Sequence, residues 1–219
     1  MGAWQLLHED EALLVVDKPA GLLAVPGRGE AGQHNLAAQV QARFSDALVV
    51  HRLDMATSGL MLFARGGAMQ SVLNRAFAQR RMSKRYEAVV TGDVNGESGS
   101  IEQALAADWP NRPRQVVDPT HGKPALTHWR VLQRGLPLPG PPSQPDGPSG
   151  ATRLSLQPVT GRSHQLRVHL LWLGHPIVGD ALYGPQPPLG ARLLLHACEL
   201  HFLHPANGQP CSFQSPAPF

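Results

Sequence analysis

Apolar runs in this chain are short, and turn residues bound nearly every one of them. Residues 12–16, ALLVV, end at Asp-Lys-Pro; 48–50 run into HRLDMATSG; 60–64 follow directly. Further runs of strand character occupy 86–91, 126–132, 153–157, 193–196 and 200–203. Three segments read as helices. Residues 35–44 place Leu36, Val40 and Phe44 on one stripe, with Asn35 as N-cap. Residues 68–79 place Val72, Ala76 and Phe77 on one face. Residues 163–173 are closed by Gly174. Between 92 and 122 the chain is polar and turn-rich. Many strands on hairpin-length connections, with few helices, predict an α+β fold whose mixed β-sheet is largely antiparallel.

The 219 residues suit one domain spanning 1–219. Residues 135–150, GLPLPGPPSQPDGPSG, form neither ladder nor helix and are read as a mobile surface loop. A linker is the weaker reading, because 153–157 resumes as a strand able to pair with 126–132. Hydrophobic residues at 42% and charged residues at 16% exclude a disordered chain, and aromatics at 5% leave the core to aliphatic side chains. Cys198 and Cys211 form no CxxC pair, which fits a reducing cytoplasm. The N-terminus carries acids where a signal peptide needs bases, and no run approaches the roughly 20 apolar residues of a membrane helix. A monomer without membrane attachment is expected.

A net charge of +3 permits a polyanionic partner without demanding one. The distribution says more: Arg80, Arg81, Lys84 and Arg85 crowd together, and Arg112, Arg114 and Lys123 form a looser group. The first cluster suits a phosphate track. Eleven histidines include no HExxH, and His164 and His169 are badly spaced for one ion, so no metal is expected.

Two segments carry the densest chemistry. In His51-Arg52-Leu53-Asp54-Met55-Ala56-Thr57-Ser58-Gly59 a carboxylate sits in a loop between two strands, flanked by Arg and His. Alone, such an aspartate is more often half of a structural ion pair. In Thr160-Gly161-Arg162-Ser163-His164-Gln165-Leu166-Arg167-Val168-His169 a turn opens a helix whose first N–H groups favour an anion. Arg162 and Arg167, five apart, point different ways, one suited to a carboxylate and the other to phosphate. Tyr86, after the basic cluster, is either core or a base-stacking platform.

HRLDMATSG resembles the catalytic motif of the RluA-type pseudouridine synthases. The segments DKPAGLLAVPG, KRYEAVVTG, DWPNRP with GKPALT, TGRSHQLRVHLLWLGHPIVGDALYG and LLLHA also resemble that family, in its order, over nearly the whole chain. The resemblance implies a pseudouridine synthase fold with a central RNA-binding cleft. The implied reaction turns uridine into pseudouridine in structured RNA, without cofactor or metal. It implies Asp54 as the catalytic residue, Arg52 entering the RNA stack that the uridine leaves, Tyr86 packing on the flipped base, and Arg167 pairing with the catalytic aspartate. Arg80, Arg81, Lys84, Arg85 and Arg162 are then expected to touch RNA. DWPNRP and the short length are most similar to members acting on a tRNA anticodon stem-loop and a 23S rRNA hairpin. The small N-terminal RNA-binding module of some relatives is not expected here, and the catalytic domain is expected to grip RNA by itself.

Overall fold

A computed structural model describes residues 3–138, 150–186 and 188–219. The stretch read as a loop at 135–150 lies outside the described residues from 139 to 149, and its first two residues belong to a strand. The chain divides into two compact units: Met1–Lys84 with His196–Pro218, and Arg85–Leu195 with Phe219.

The first unit opens with β1 (Gln5–Glu9), β2 (Leu13–Lys18), α1 (Leu36–Arg43), β3 (Ala47–Val49), β4 (Ser58–Arg65) and α2 (Gly66–Ala78). Strand β2 pairs antiparallel with both β1 and β4, in the register Leu13↔Ala64 to Lys18↔Gly59, and β3 pairs antiparallel with β4. Side chains alternate across a strand, and both faces of β2 and β4 are covered. Leu14, Val16, Met61 and Phe63 pack with Leu36, Val40 and Phe44 from the α1 region. Leu13, Val15, Leu60, Leu62 and Ala64 pack with Leu73 of α2 and with Met82. Two-sided burial explains why ALLVV is an unbroken apolar run rather than an alternating one.

Helix α1 has the expected cap: the Asn35 side chain accepts the Ala38 N–H at 2.9 Å. In α2 the buried stripe is Met69, Leu73, Ala76 and Phe77, while Val72 is exposed. Ala76 and Phe77 therefore face the core as expected and Val72 does not; the i, i+4, i+7, i+8 set from Met69 is the one that faces the sheet.

The second unit holds β5 (Ser83–Thr91), β6 (Ser98–Ile101), β7 (Leu105–Ala107), β8 (Gln115–Val117), β9 (Thr127–Leu136), β10 (Ala151–Pro158) and α3 (Gln165–Trp172). Strand β10 pairs antiparallel with β5 and β9, and β9 with β6. The expected pairing of the two segments flanking the Pro/Gly-rich stretch is present. The polar region 92–122 nonetheless contains β6, β7 and β8, each of four residues or fewer and too short to show a period. Helix α3 ends at Gly174, whose φ of 90° lets its N–H and that of His175 reach the carbonyls of Leu171 and Leu170.

The chain then returns to the first unit with β11 (Leu195–Leu203) and β12 (Pro210–Gln214). Strand β11 lies parallel to β4 through His196↔Ser58 and Ala197↔Gly59, and antiparallel to β12. The two late strands expected at 193–196 and 200–203 are one, because Ala197 and Cys198 between them are buried in the same ladder. Gly59 is required there: with φ at 112°, a Cβ would sit 2.3 Å from the Ala197 carbonyl oxygen. Both units are α+β and mainly antiparallel, as the sequence predicts, with the parallel β4–β11 pair in the first. No helix among the described residues is long and apolar enough to cross a membrane.

Candidate active site

Asp54 lies half-buried in the loop between β3 and β4, after buried Leu53 and before exposed Met55. The loop closes on itself where the Thr57 N–H donates to the Asp54 carbonyl at 3.1 Å. It is held from beneath by Lys18, whose ammonium is fully buried and donates to the carbonyls of Pro19 (2.9 Å), Leu22 (2.8 Å) and Met55 (3.2 Å). The Gly21 N–H adds a 2.8 Å bond to the same Met55 carbonyl. A buried ammonium is tolerated only with such partners, so Lys18 ties the DKPAG segment to the residue after Asp54.

The exit of the loop is pinned as firmly. The Ser58 hydroxyl meets His196 Nδ1 at 2.9 Å, and His196 Nε2 lies 3.0 Å from the Ser215 hydroxyl and 3.1 Å from its carbonyl. The Ser215 hydroxyl in turn donates to Asp17. At the entrance, His51 Nε2 accepts the Leu62 N–H at 2.9 Å and its ring packs on Phe77 at 4.8 Å. Burial, helped by the Lys84 charge, lowers the His51 pKa to about 3, so the ring is neutral at pH 7. His51 fixes the loop; Arg52, next to it, is exposed.

The basic cluster proves heterogeneous. Arg80 occupies the left-handed position that closes α2, at φ 56°, with its N–H on the Phe77 carbonyl and the Arg81 N–H on that of Ala76. Both side chains are exposed. Lys84 packs over the Phe77 ring at 5.9 Å, and desolvation lowers its pKa. Arg85 is half-buried and paired with Glu87 at 2.9 Å, a carboxylate it shares with Arg153 at 3.1 Å. Glu87 therefore offsets part of the charge of Arg85. Tyr86, on β5 opposite Leu156, is half-buried.

Arg167 is buried on α3, with Nε and Nη2 gripping Asp180 at 2.8 and 2.7 Å. Asp180, itself buried, also accepts the N–H groups of Leu182 and Tyr183. The Tyr183 ring lies 5.0 Å from the Arg167 guanidinium, and its hydroxyl meets His164 Nδ1 at 2.7 Å. Arg162 instead is exposed and donates from Nε to the Pro124 carbonyl at 3.1 Å. At the helix N-terminus the Gln165 side chain bonds Thr160, Arg162 N–H, the Leu126 carbonyl and Thr127, so the turn is clamped by side chains. His169, bonded to Thr127 and the Gln103 carbonyl, has its pKa lowered by burial. Among the described residues no group of three His, Cys, Asp or Glu side chains is arranged to hold a metal ion.

Lys18, His196, Ser215 and Asp180 did not stand out as site residues from the sequence. Lys18, His196 and Asp180 lie inside quoted segments (DKPAG, LLLHA and GHPIVGDALYG), so motif membership was their only signal.

Residues 12–172 match the sequence model of a family described as RNA pseudouridylate synthase. Over 216 residues the chain is 42% identical to the dual-specificity RNA pseudouridine synthase RluA of Escherichia coli strain K12, covering 98% of this chain and 93% of that one. The RluA protein of Yersinia pestis is 43% identical, with 98% and 99% covered. Among solved structures, human RNA pseudouridylate synthase domain containing 1 superposes with a TM-score of 0.79 at 29% identity, covering 99% of this chain and 84% of that one. Human RNA pseudouridylate synthase domain containing 4 shares the fold, with a TM-score of 0.73 at 24% identity over 98% and 88% of the chains.

Proposed function

The chain belongs to the RNA pseudouridylate synthase family, and we propose that Asp54 is its catalytic carboxylate, acting on uridines in a tRNA anticodon stem-loop and in a 23S rRNA hairpin. It is an isomerase that converts uridine to pseudouridine in RNA. The observation that carries the assignment of Asp54 is the anchoring of its loop by Lys18, Ser58 and His51, which presents one carboxylate on a rigid frame. The substrate pair rests on relatives whose names declare dual specificity and which match along almost their whole length.

The reaction detaches uracil N1 from ribose C1′, turns the base, and joins C5 to the same carbon; the C5 hydrogen leaves as a proton and N1 regains one. The uridine must first leave the helix, at a cost of a few kcal/mol. Arg52, exposed beside Asp54, fills the vacated stack, and Tyr86 packs on the extruded base. For Arg167, whose guanidinium plane is set by Asp180, we propose the role that the family resemblance implies, that of electrostatic partner to the catalytic carboxylate. Enclosure of the detached uracil makes recombination faster than escape. Arg80, Arg81, Lys84 and Arg162 supply positive charge to the RNA backbone, and Arg85 contributes least, being paired. The enzyme acts as a monomer, in the cytoplasm where its RNAs are.

Release of tritium from C5-labelled uridine in tRNA and 23S rRNA transcripts tests this reading. Wild type releases tritium from both, and Asp54→Asn binds both and releases none. Turnover by Asp54→Asn removes Asp54 from the catalytic role, and an inert 23S transcript removes that substrate.

A further inference from the structure

The DWPNRP segment is absorbed by none of the roles above. It forms the tip of the β7–β8 hairpin, and it carries Trp109, 70% exposed and the most exposed large apolar side chain among the described residues. The Arg112 guanidinium stacks on the Trp109 ring, 3.2 Å from its centroid. An indole this exposed, with a guanidinium on one face, presents a flat apolar surface beside a cation.

The tip is rigid. The Asp108 N–H reaches the Arg114 carbonyl at 3.0 Å, and the Asn111 amide bonds both Asp108 carboxylate oxygens at 3.1 and 3.0 Å. Just below the tip the hairpin is tied into the second unit by the Gln115 N–H on the Tyr183 hydroxyl at 2.7 Å, and Arg114 packs 5.3 Å from the same ring. Tyr183 also packs on Arg167. Trp109 stands two residues beyond Ala107, the last residue of β7. The hairpin thus hangs from the tyrosine that supports Arg167.

We propose that Trp109 and Arg112 form a stacking platform for an unpaired nucleobase in the loop of the hairpin substrate, a nucleotide other than the uridine being modified. The assignment rests on the reading of this chain as an enzyme of RNA hairpins. The indole face not covered by Arg112 takes the base, since any base offers a π-face. Arg112, Arg114, Lys123 and Arg162 are exposed in the same unit and supply charge for the flanking phosphates. Asp108, the acid of the tip, is engaged by Asn111. This charge favours RNA over a second copy of a chain that carries +3. A platform of this kind selects single-stranded loops over continuous helix, because paired bases do not offer their faces.

Fluorescence anisotropy with a labelled tRNA anticodon stem-loop, and with the same stem as an unbroken duplex, separates the outcomes. Trp109→Ala is expected to bind the stem-loop roughly ten-fold or more weakly and the duplex like wild type, with Trp109→Phe restoring most of the loss. The side chain is exposed, so Trp109→Ala should keep the wild-type circular dichroism and Tm. Unchanged stem-loop affinity, or equal loss on both RNAs, overturns the platform. So does a dimer, seen by sedimentation, that Trp109→Ala dissolves without changing RNA affinity. Tritium release is scored separately: wild type that binds the stem-loop through Trp109 yet releases nothing defeats the isomerase assignment for that RNA and leaves the platform standing.

Discussion

Ser58 and His196, 138 positions apart, share a buried 2.9 Å hydrogen bond where the Asp54 loop enters β4. The imidazole's other nitrogen is engaged by Ser215. The loop exit is thereby referenced to the C-terminal strands β11 and β12 as well as to its own neighbours.

That bond has a cost when broken. Replacing His196 by Phe takes the imidazole away from the buried Ser58 hydroxyl and leaves Ser215 with Asp17 as its acceptor, which costs about 1–3 kcal/mol. Urea unfolding should show a loss of this size. Tritium release should fall through kcat with KM little changed, since the substitution displaces the Asp54 loop rather than an RNA contact.

Lys18 predicts a larger loss. Lys18→Met keeps the stem but leaves the carbonyls of Pro19, Leu22 and Met55 without the ammonium. Destabilisation of roughly 3 kcal/mol or more is expected, read as a lower midpoint in urea. A variant within 0.5 kcal/mol of wild type, on the order of an ordinary surface change, would deny the clamp.

Arg80 sets function against stability. A non-glycine residue at φ 56° pays roughly 1 kcal/mol for the left-handed conformation. Arg80→Gly should raise Tm while weakening RNA binding and flattening its salt dependence by about one phosphate contact. A Tm gain with unchanged RNA affinity would take Arg80 out of the RNA contact set.

His51 gives a pH dependence of definite sign. Its folded pKa is about 3, below the unfolded value of about 6.5. Between these values the unfolded chain binds the extra proton. Stability contributed by His51 is therefore complete above pH 6.5 and lost progressively as pH falls toward 3. Urea titrations at pH 7, 6, 5 and 4 should show this slope. His51→Gln, which still offers an acceptor to the Leu62 N–H, should show a shallower one; identical slopes would refute the assignment.

Legibility in the sequence followed the length over which a signal accumulates. ALLVV, the Asn35 cap and the 126–157 hairpin declared themselves locally, through several residues or one decisive side chain. The three strands of β6 to β8 did not, because their partners rather than their own periods create them. β1 and β12 were missed for a related reason: each shows only alternating partial exposure, with no fully buried residue to mark a core face. In the site, HRLDMATSG drew attention to Asp54 through its motif, but nothing in the spacing of Lys18, His196 or Ser215 announces what they hold. Those contacts exist only once distant strands are in register. Arg85 shows the converse: it looked like its basic neighbours, and only the fold reveals its pairing with Glu87.

The two-sided burial of β4 also orders the motions of the first unit. Exposing the amides of Met61 and Phe63 requires stripping away α1, α2 and the neighbouring strands together, so their exchange with deuterium should track global unfolding of that unit. The β7–β8 tip, bonded across only a few residues, should exchange by local opening many times faster. Asp54 is thus joined directly to a slow-exchanging strand, while Trp109 rides on a small hairpin whose few ladder bonds open without unfolding its unit.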